Sequence, residues 1–297
     1  MYQGDVKMNT IYRSEKGKNE ILELYNQYWN RLELALEHQT VSTRFGDTHV
    51  VVCGPADGEP VLVFHGGNVV SPISFAWLAG LCREFRLYAP DTIGHPGLSA
   101  ETRLSPKNNE YGLWADDLID GLNLRQPVVQ GTSYGGGILL NLAATAPEKI
   151  GKAILMVPAG LTSPPMGPMM SKIVFPMLMY MTTHREKWLR KTVSAMGNHP
   201  EEEIFKITGK VFDHVKMEAA MPRNVSSDEL KAFTAPTLVL AAENDIYFPA
   251  RLVLQRARAI IPNLAGAETL AHSGHIIDQE LLPGIRERMR LFIREGK

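Results

Sequence analysis

The stretch that decides the fold is Val128-Val129-Gln130-Gly131-Thr132-Ser133-Tyr134-Gly135-Gly136-Gly137. It begins with a short run typical of a buried strand, and the apolar residues over 138–144 that follow it are typical of a helix packed on that strand. Gly131 and Gly135 flank Ser133 two residues away on either side, so the chain can turn sharply and present the serine hydroxyl. We interpret this G-x-S-x-G pattern as a nucleophile elbow, in which the helix N-terminus favours developing negative charge.

A serine nucleophile requires a base to take its proton and an acid to orient that base. Asp245 follows an apolar strand predicted over 236–242, and His275 follows a short strand predicted over 267–270. Because the carboxyl ends of parallel strands meet at one edge of a sheet, both side chains can converge on Ser133. The three residues also follow one another along the chain as serine, carboxylate and histidine, which is the usual order in proteins with such a nucleophile elbow.

Two neighbouring residues are alternatives for these roles. Glu243 precedes Asp245 and is an alternative acid, and His272 precedes His275 and is an alternative base. We favour His275 as the base because Gly274 gives the loop the freedom to present the imidazole ring. We favour Asp245 as the acid, with Glu243 as the weaker alternative.

A second glycine-rich turn follows the apolar run over 60–64, which is typical of a central parallel strand. The sequence His65-Gly66-Gly67-Asn68 lets the backbone approach a substrate closely. We therefore expect the N–H of Gly67 to donate to an oxyanion, with Asn68 as the weaker alternative. We expect the His65 side chain to brace this loop by hydrogen bonding.

Three further polar residues near the predicted sheet receive structural interpretations. Asp91 follows the strand predicted over 86–90, and an aspartate beside glycines at a strand end often caps a turn. His95 lies on the same loop near the mouth of the cleft, where we favour a structural role over a contact with substrate. We expect His49 to point off its strand and to take no part in chemistry.

The composition limits the possible functions of the chain. Its 297 residues are 44% hydrophobic and 21% charged, enough for one large core, and the net charge of −1 argues against a nucleic-acid partner. The start of the chain over 1–7 lacks the apolar core of a signal peptide. Prolines and a lysine interrupt the apolar region over 153–181, so no membrane span is predicted. We expect a cytoplasmic protein in which Cys53 and Cys82 are reduced packing residues.

Alternation of strands and helices predicts βαβ units and a mostly parallel sheet flanked by helices. The predicted α/β core comprises residues 40–157 and 229–297, preceded by an N-terminal helical extension over 1–39. Residues 158–228 carry helical patterns and many methionines but no strand pattern, so we interpret them as a helical cap inserted before the penultimate strand. We expect cap helices near 169–181, 184–196 and 200–216.

Several motifs together resemble the α/β-hydrolase superfamily, from about Val41 to the C-terminus. They are Gly131-Thr132-Ser133-Tyr134-Gly135-Gly136, His65-Gly66-Gly67, the loop over 91–99, Asn244-Asp245 and Gly274-His275. The runs Ser42-Thr43-Arg44-Phe45-Gly46 and Ser227-Asp228-Glu229-Leu230 are similar to those of bacterial serine carboxylesterases. Two departures are Ala242, where a glycine is common before the acid turn, and Gly67, where relatives use a bulkier residue.

The resemblance implies a two-step acyl transfer. His275 takes the proton of Ser133 as the hydroxyl attacks an ester carbonyl, and Asp245 holds the imidazole in the useful tautomer. The N–H groups of Gly67 and Tyr134 hold the oxyanion. Neither a metal ion nor an organic cofactor is implied.

We therefore expect an esterase that acts on small to medium hydrophobic esters, as a monomer or a homodimer. The alternatives are a carbon–carbon bond hydrolase or a lactonase on the same three residues, and acyl transfer to an acceptor other than water. A non-catalytic binding protein with this fold is a further alternative, which retention of all three residues disfavours.

Overall fold

The computed structural model describes residues 10–295, and a β-sheet forms its centre. Within these residues the strands are β1 (Leu36–Thr43), β2 (Gly46–Cys53), β3 (Glu59–Phe64), β4 (Phe85–Pro90), β5 (Val128–Thr132), β6 (Lys152–Met156), β7 (Thr237–Ala242) and β8 (Leu264–Leu270). Their spatial order is β1-β2-β4-β3-β5-β6-β7-β8. Strand β2 is antiparallel to β1 and β4, and the remaining neighbours are parallel, which confirms the mostly parallel sheet.

The register of β3 and β5 brings two predicted loops together. Phe64 at the end of β3 lies opposite Gly131 on β5, so the loop that starts at His65 emerges beside Ser133. Strand β7 ends at the same edge, followed by Asp245, and β8 ends there before His275. The parallel order of these strands therefore gathers residues that are far apart along the chain.

Ten α-helices lie within residues 10–295: α1 (Glu15–Arg31), α2 (Ser71–Ala76), α3 (Glu110–Gly121), α4 (Tyr134–Thr145), α5 (Met166–Pro168), α6 (Phe175–Thr183), α7 (Glu186–Ser194), α8 (Glu202–His214), α9 (Ala250–Ile260) and α10 (Leu282–Arg294). Helices α1, α2 and α10 cover one face of the sheet, and α3, α4 and α9 cover the other. Because both faces are covered, the central strands are buried and continuously apolar. In this part of the chain we find no helix with the length and apolar character of a membrane span.

The segment 158–228 lies between β6 and β7 and contains α5 to α8, with a π-helix at Met169–Val174. Its helices share a small apolar cluster formed by Tyr180, Leu189, Val193, Phe205 and Phe212. Helix α1 packs against α8, and the N–H of Arg13 donates to the carbonyl of His214 at 2.8 Å. The region before β1 is therefore joined to this segment as well as to the sheet.

Two local features complete this description. The turn between β1 and β2 lies at 44–45, because Thr43 pairs with Gly46 and β2 already begins there. A 3₁₀-helix at Ala79–Arg83 follows α2. Residues 1–7, where we expect no signal peptide, lie outside the described residues.

The two cysteines are joined in a disulfide, so the expectation of reduced thiols is wrong. Cys53 ends β2 and Cys82 lies on the Ala79–Arg83 turn, with their Cα atoms 5.8 Å apart. Their sequence separation of 29 conceals a proximity that only the packing of this turn beneath the sheet creates. Disulfides persist mainly in oxidising compartments, so the cytoplasmic location stays a prediction that this bond does not support.

Candidate active site

Ser133 stands on a strained turn between β5 and α4. Its φ is 52° and its ψ is −116°, a left-handed conformation that a non-glycine residue rarely adopts. A Cβ on Gly131 would lie 2.4 Å from the carbonyl oxygen of Gly135, and a Cβ on Gly135 would lie 2.2 Å from that of Phe64. Only glycine fits at either position, so the tightness of the turn explains the G-x-S-x-G pattern.

The structure brings the three predicted side chains together. His275 Nε2 lies 2.9 Å from Ser133 Oγ, and His275 Nδ1 lies 2.8 Å from Asp245 Oδ2. Because a carboxylate can only accept, Nδ1 carries the proton, which leaves Nε2 to accept the hydrogen bond of the serine hydroxyl. This tautomer is the one that a general base at this position requires.

Asp245 is fixed in place by the backbone that follows it. The N–H groups of Tyr247 and Phe248 donate to Asp245 Oδ1 at 2.7 and 3.0 Å, so Oδ2 is left for His275. The carboxylate is buried, and the Tyr247 ring packs against the imidazole with its centroid 4.7 Å away. Ala242 in place of a glycine does not prevent this placement.

The alternatives Glu243 and His272 are paired with each other instead. The backbone N–H of His272 donates to Glu243 Oε2 at 2.8 Å, and the two side chains lie 3.6 Å apart. The His272 side chain is 95% exposed, and neither residue lines the cavity that contains Ser133. The structure therefore does not bring this pair to the serine.

The loop after β3 places Gly67 beside Tyr134, the residue that follows the serine. Gly66 N–H donates to Ser74 Oγ at 3.1 Å, and Asn68 N–H donates to His95 Nδ1 at 3.1 Å. Gly67 N–H lies between these two engaged donors. A Cβ on Gly67 would lie 2.9 Å from the Tyr134 ring, so the glycine allows the loop to approach the N-terminus of α4.

His65 braces the same loop as expected. Its Nδ1 lies 2.7 Å from the carbonyl oxygen of Gly66, and its Nε2 accepts the N–H of Thr92 at 2.9 Å. Burial lowers the pKa of His65, which keeps the ring neutral and able to accept that bond. The side chain therefore ties the Gly67 loop to the loop that follows β4.

Asp91 is fully buried and caps its own loop by accepting the N–H of Leu98 at 2.9 Å. It also accepts the hydroxyl of Ser71 and lies 3.1 Å from His49 Nδ1. The contact with His49 could not be predicted, because the sequence around His49 carries no pattern that indicates a buried carboxylate on a distant loop.

His95 is buried and neutral, and it does not line the cavity. Because Asn68 donates to Nδ1, the ring proton is on Nε2, which lies 3.4 Å from the hydroxyl of Tyr111. Burial, with smaller contributions from His65 and Arg103, lowers the pKa of His95 to about 3. His95 thus supports the Gly67 loop from behind.

This burial of His95 predicts an acid-dependent loss of stability. The unfolded chain protonates this histidine near pH 6.5 and the folded chain only near pH 3, so acid favours unfolding between these values. We expect this group alone to lower the free energy of unfolding by about 2 kcal/mol from pH 7 to pH 5. Urea titrations measure this change. Between pH 7 and pH 5, the free energy of unfolding should fall by this amount more in the unmodified protein than in His95→Gln.

The matched control for this experiment is His199→Gln, because the His199 side chain is 88% exposed. Its pH slope should equal that of the unmodified protein. An unchanged slope in His95→Gln would show that the buried ring does not resist protonation.

Ser133 and His275 open into a cavity of about 200 Å³, which we call the inner cavity. Segment 158–228 contributes much of its wall, including Met196, Met217 and Met221. The remaining lining is mainly apolar, and its polar side chains are Asn68, Ser74, Thr132, Thr208 and Glu218. Most methionines of this segment lie elsewhere and pack the helices or face solvent.

Comparisons with known proteins agree with this fold. A family model described as alpha/beta hydrolase fold matches residues 59–195. The chain has the α/β-hydrolase fold, as its sequence predicted.

More particularly, the chain resembles bacterial carboxylesterases over most of its length. Carboxylesterase YbfK of Bacillus subtilis (strain 168) is 25% identical over 295 residues, 92% of this chain and 93% of that protein. An uncharacterized carboxylesterase of the same strain, nap, is 26% identical over 291 residues, 91% of each. The crystal structure of naproxen esterase from Bacillus subtilis has a TM-score of 0.82 and 21% identity, covering 95% of this chain and 100% of that chain, a likeness of fold.

Proposed function

We propose that the protein is a serine hydrolase that cleaves carboxylic esters of small to medium hydrophobic substrates. The observation that carries the proposal is the position of His275, within hydrogen-bonding distance of both Ser133 Oγ and Asp245 Oδ2. The similarity to two carboxylesterases over more than 90% of the chain supports ester hydrolysis as the reaction.

In the proposed first step, Ser133 Oγ attacks the ester carbonyl carbon while His275 Nε2 takes the hydroxyl proton. Asp245 stabilises the imidazolium that forms. The N–H groups of Gly67 and Tyr134 donate to the carbonyl oxygen as it becomes negative, and the N-terminus of α4 adds to this stabilisation. The oxyanion collapses, the bond to the alkoxy oxygen breaks, and His275 returns its proton to the departing alcohol.

In the second step, water attacks the acyl group on Ser133 and gives its proton to His275 Nε2. The tetrahedral intermediate then releases the carboxylic acid, and the proton returns to Ser133 Oγ. The same two N–H donors serve both steps. The balance of the reaction is one ester and one water to one acid and one alcohol.

We propose that residues 158–228 act as a cap that selects apolar substrates. Methionine side chains are flexible, so Met196, Met217 and Met221 can adjust to different acyl and alcohol groups. A mainly apolar lining favours uncharged esters over charged ones, and the Glu218 carboxylate disfavours anionic substrates further.

The proposal is tested by labelling with a fluorophosphonate, which reacts only with an activated serine. We expect one adduct per chain, located on Ser133 by mass spectrometry, and loss of aryl-ester turnover in proportion to labelling. Prior incubation with an ester substrate should slow the labelling. Turnover that persists after complete labelling of Ser133 would refute the proposal.

A further inference from the structure

A second cavity of about 320 Å³, here called the outer cavity, lies next to the inner cavity. Helix α1 contributes Tyr28 to it, Leu32 directly follows that helix, and α2 contributes Pro72 and Ala76. None of these four residues lines the inner cavity. The outer cavity is therefore a distinct space, lined by residues of α1, of α2, of the start of α8 and of the segment after β8.

Four apolar side chains line both cavities: Ile73, Trp77, Ile204 and Ile276. We call them the shared wall. Ile73 lies on α2, Trp77 directly follows that helix, Ile204 lies on α8 and Ile276 lies on the loop after β8, so the wall is made of side chains from three separate parts of the chain. Ile276 directly follows His275, which places the wall beside the proposed base.

The chemistry of the outer cavity suits an uncharged apolar group. Apart from the shared wall, its interior includes Leu32 and the Tyr28 ring. At its rim, Arg31 pairs with Glu203 at 3.0 Å and lies over the Tyr28 ring. The other polar lining residues, His199, Glu201 and Gln279, are exposed to solvent, so the buried part of the lining is apolar and aromatic and suits an uncharged group.

The volumes indicate which substrates need this space. Sites for drug-sized ligands are about 300–1,000 Å³, whereas the inner cavity is only about 200 Å³. An ester with a longer arm exceeds the inner cavity, and the outer cavity lies directly across the shared wall. Rotation of the wall side chains would join the two spaces without moving the sheet.

We propose that the outer cavity is a binding site for the distal apolar end of one arm of the ester substrate. The arm passes the shared wall, and its end packs on Tyr28, Leu32 and Ala76. This inference rests on the proposed function, since it concerns the substrate of the same serine. It names the substrate class as esters with one extended alkyl or arylalkyl arm.

The test fills the outer cavity without touching the inner one. Ala76→Trp places a large side chain in the outer cavity. Two ester series are compared, one with acyl chains from acetate to octanoate and one with alcohols from methyl to octyl. In each series, kcat/KM for the longest ester is divided by kcat/KM for the shortest. We expect Ala76→Trp to lower this ratio about tenfold in one of the two series. The series that responds identifies whether the acyl or the alcohol arm enters the outer cavity.

A second variant guards against misfolding of the first. Gln279→Trp enters the outer cavity from the exposed loop after β8, and it should lower the same ratio in the same series. The matched control is Thr182→Trp, an exposed position on α6 that lines neither cavity, and its ratios should equal those of the unmodified protein. Circular dichroism establishes that each variant is folded.

Two results would overturn the inference. One is that neither Ala76→Trp nor Gln279→Trp changes the long-to-short ratio of kcat/KM in either series. The other is that Thr182→Trp lowers this ratio as much as the cavity variants do. Either result would leave ester hydrolysis by the unmodified protein intact. Failure of the proposed function would instead appear as absence of turnover and of fluorophosphonate labelling in the unmodified protein.

Discussion

Replacing Ser133 with alanine is expected to lower kcat for a short-chain aryl ester by about 10⁶-fold. The variant removes the atom that forms the acyl-enzyme, and no other hydroxyl in the described residues lies within hydrogen-bonding distance of His275 Nε2. Only the rate provided by the oxyanion donors and by substrate binding should remain. Initial rates at saturating substrate, with protein purified free of host esterases, measure this loss.

The fold should survive this substitution. Ser133 makes its strained turn through the backbone, and alanine adds no atom where Gly131, Gly135 and their neighbours leave no space. The melting temperature should therefore change little, and an exposed matched control, Ser171→Ala, should retain full activity. A folded Ser133→Ala protein with more than about 1% of the original kcat would require a different nucleophile, because loss of the reacting oxygen costs far more than that.

The nucleophile elbow could be predicted because its geometry is local. Five consecutive residues determine whether the turn can form, and the contacts that exclude a Cβ at Gly131 lie within the same turn. The amphipathic face of α1 is local in the same sense, because Ile21, Leu24 and Tyr25 recur at the spacing of one helix face and are buried together. The mostly parallel sheet and the cleft at the carboxyl ends of its strands follow from the alternation of strands and helices.

The sequence could not establish which side chains face the serine. Asp245 and Glu243 both follow β7, and the choice depends on the N–H groups of Tyr247 and Phe248, which orient Asp245. That orientation appears only when the chain turns after the strand. Loop direction likewise decides between the two histidines after β8.

Long-range packing accounts for the remaining differences. The disulfide joins Cys53 to Cys82 because a short 3₁₀ turn packs beside the end of β2. The outer cavity exists because α1 lies against α2 and the start of α8. Such contacts between distant segments leave no periodic pattern in the chain, so composition and spacing give no indication of them.

The same substitution at two nearby histidines should abolish turnover at one position and leave turnover almost unchanged at the other. We expect His275→Asn to lower kcat about 10⁶-fold, because without a base the serine keeps its proton and the leaving alcohol receives none. We expect His272→Asn to keep kcat within about twofold, since an exposed side chain remote from the chemistry has little effect. Asparagine tolerates the positive φ of His272, which is 56°.

The two variants also differ in what they do to labelling. Fluorophosphonate should modify His272→Asn at the unmodified rate and His275→Asn far more slowly, because the probe depends on the same proton transfer as the ester. The backbone N–H of His272 donates to Glu243, and the substitution preserves this hydrogen bond. We therefore expect the loop to keep its conformation in His272→Asn. Equal losses in both variants would mean that the loop as a whole, rather than the imidazole that bridges Ser133 and Asp245, carries the activity.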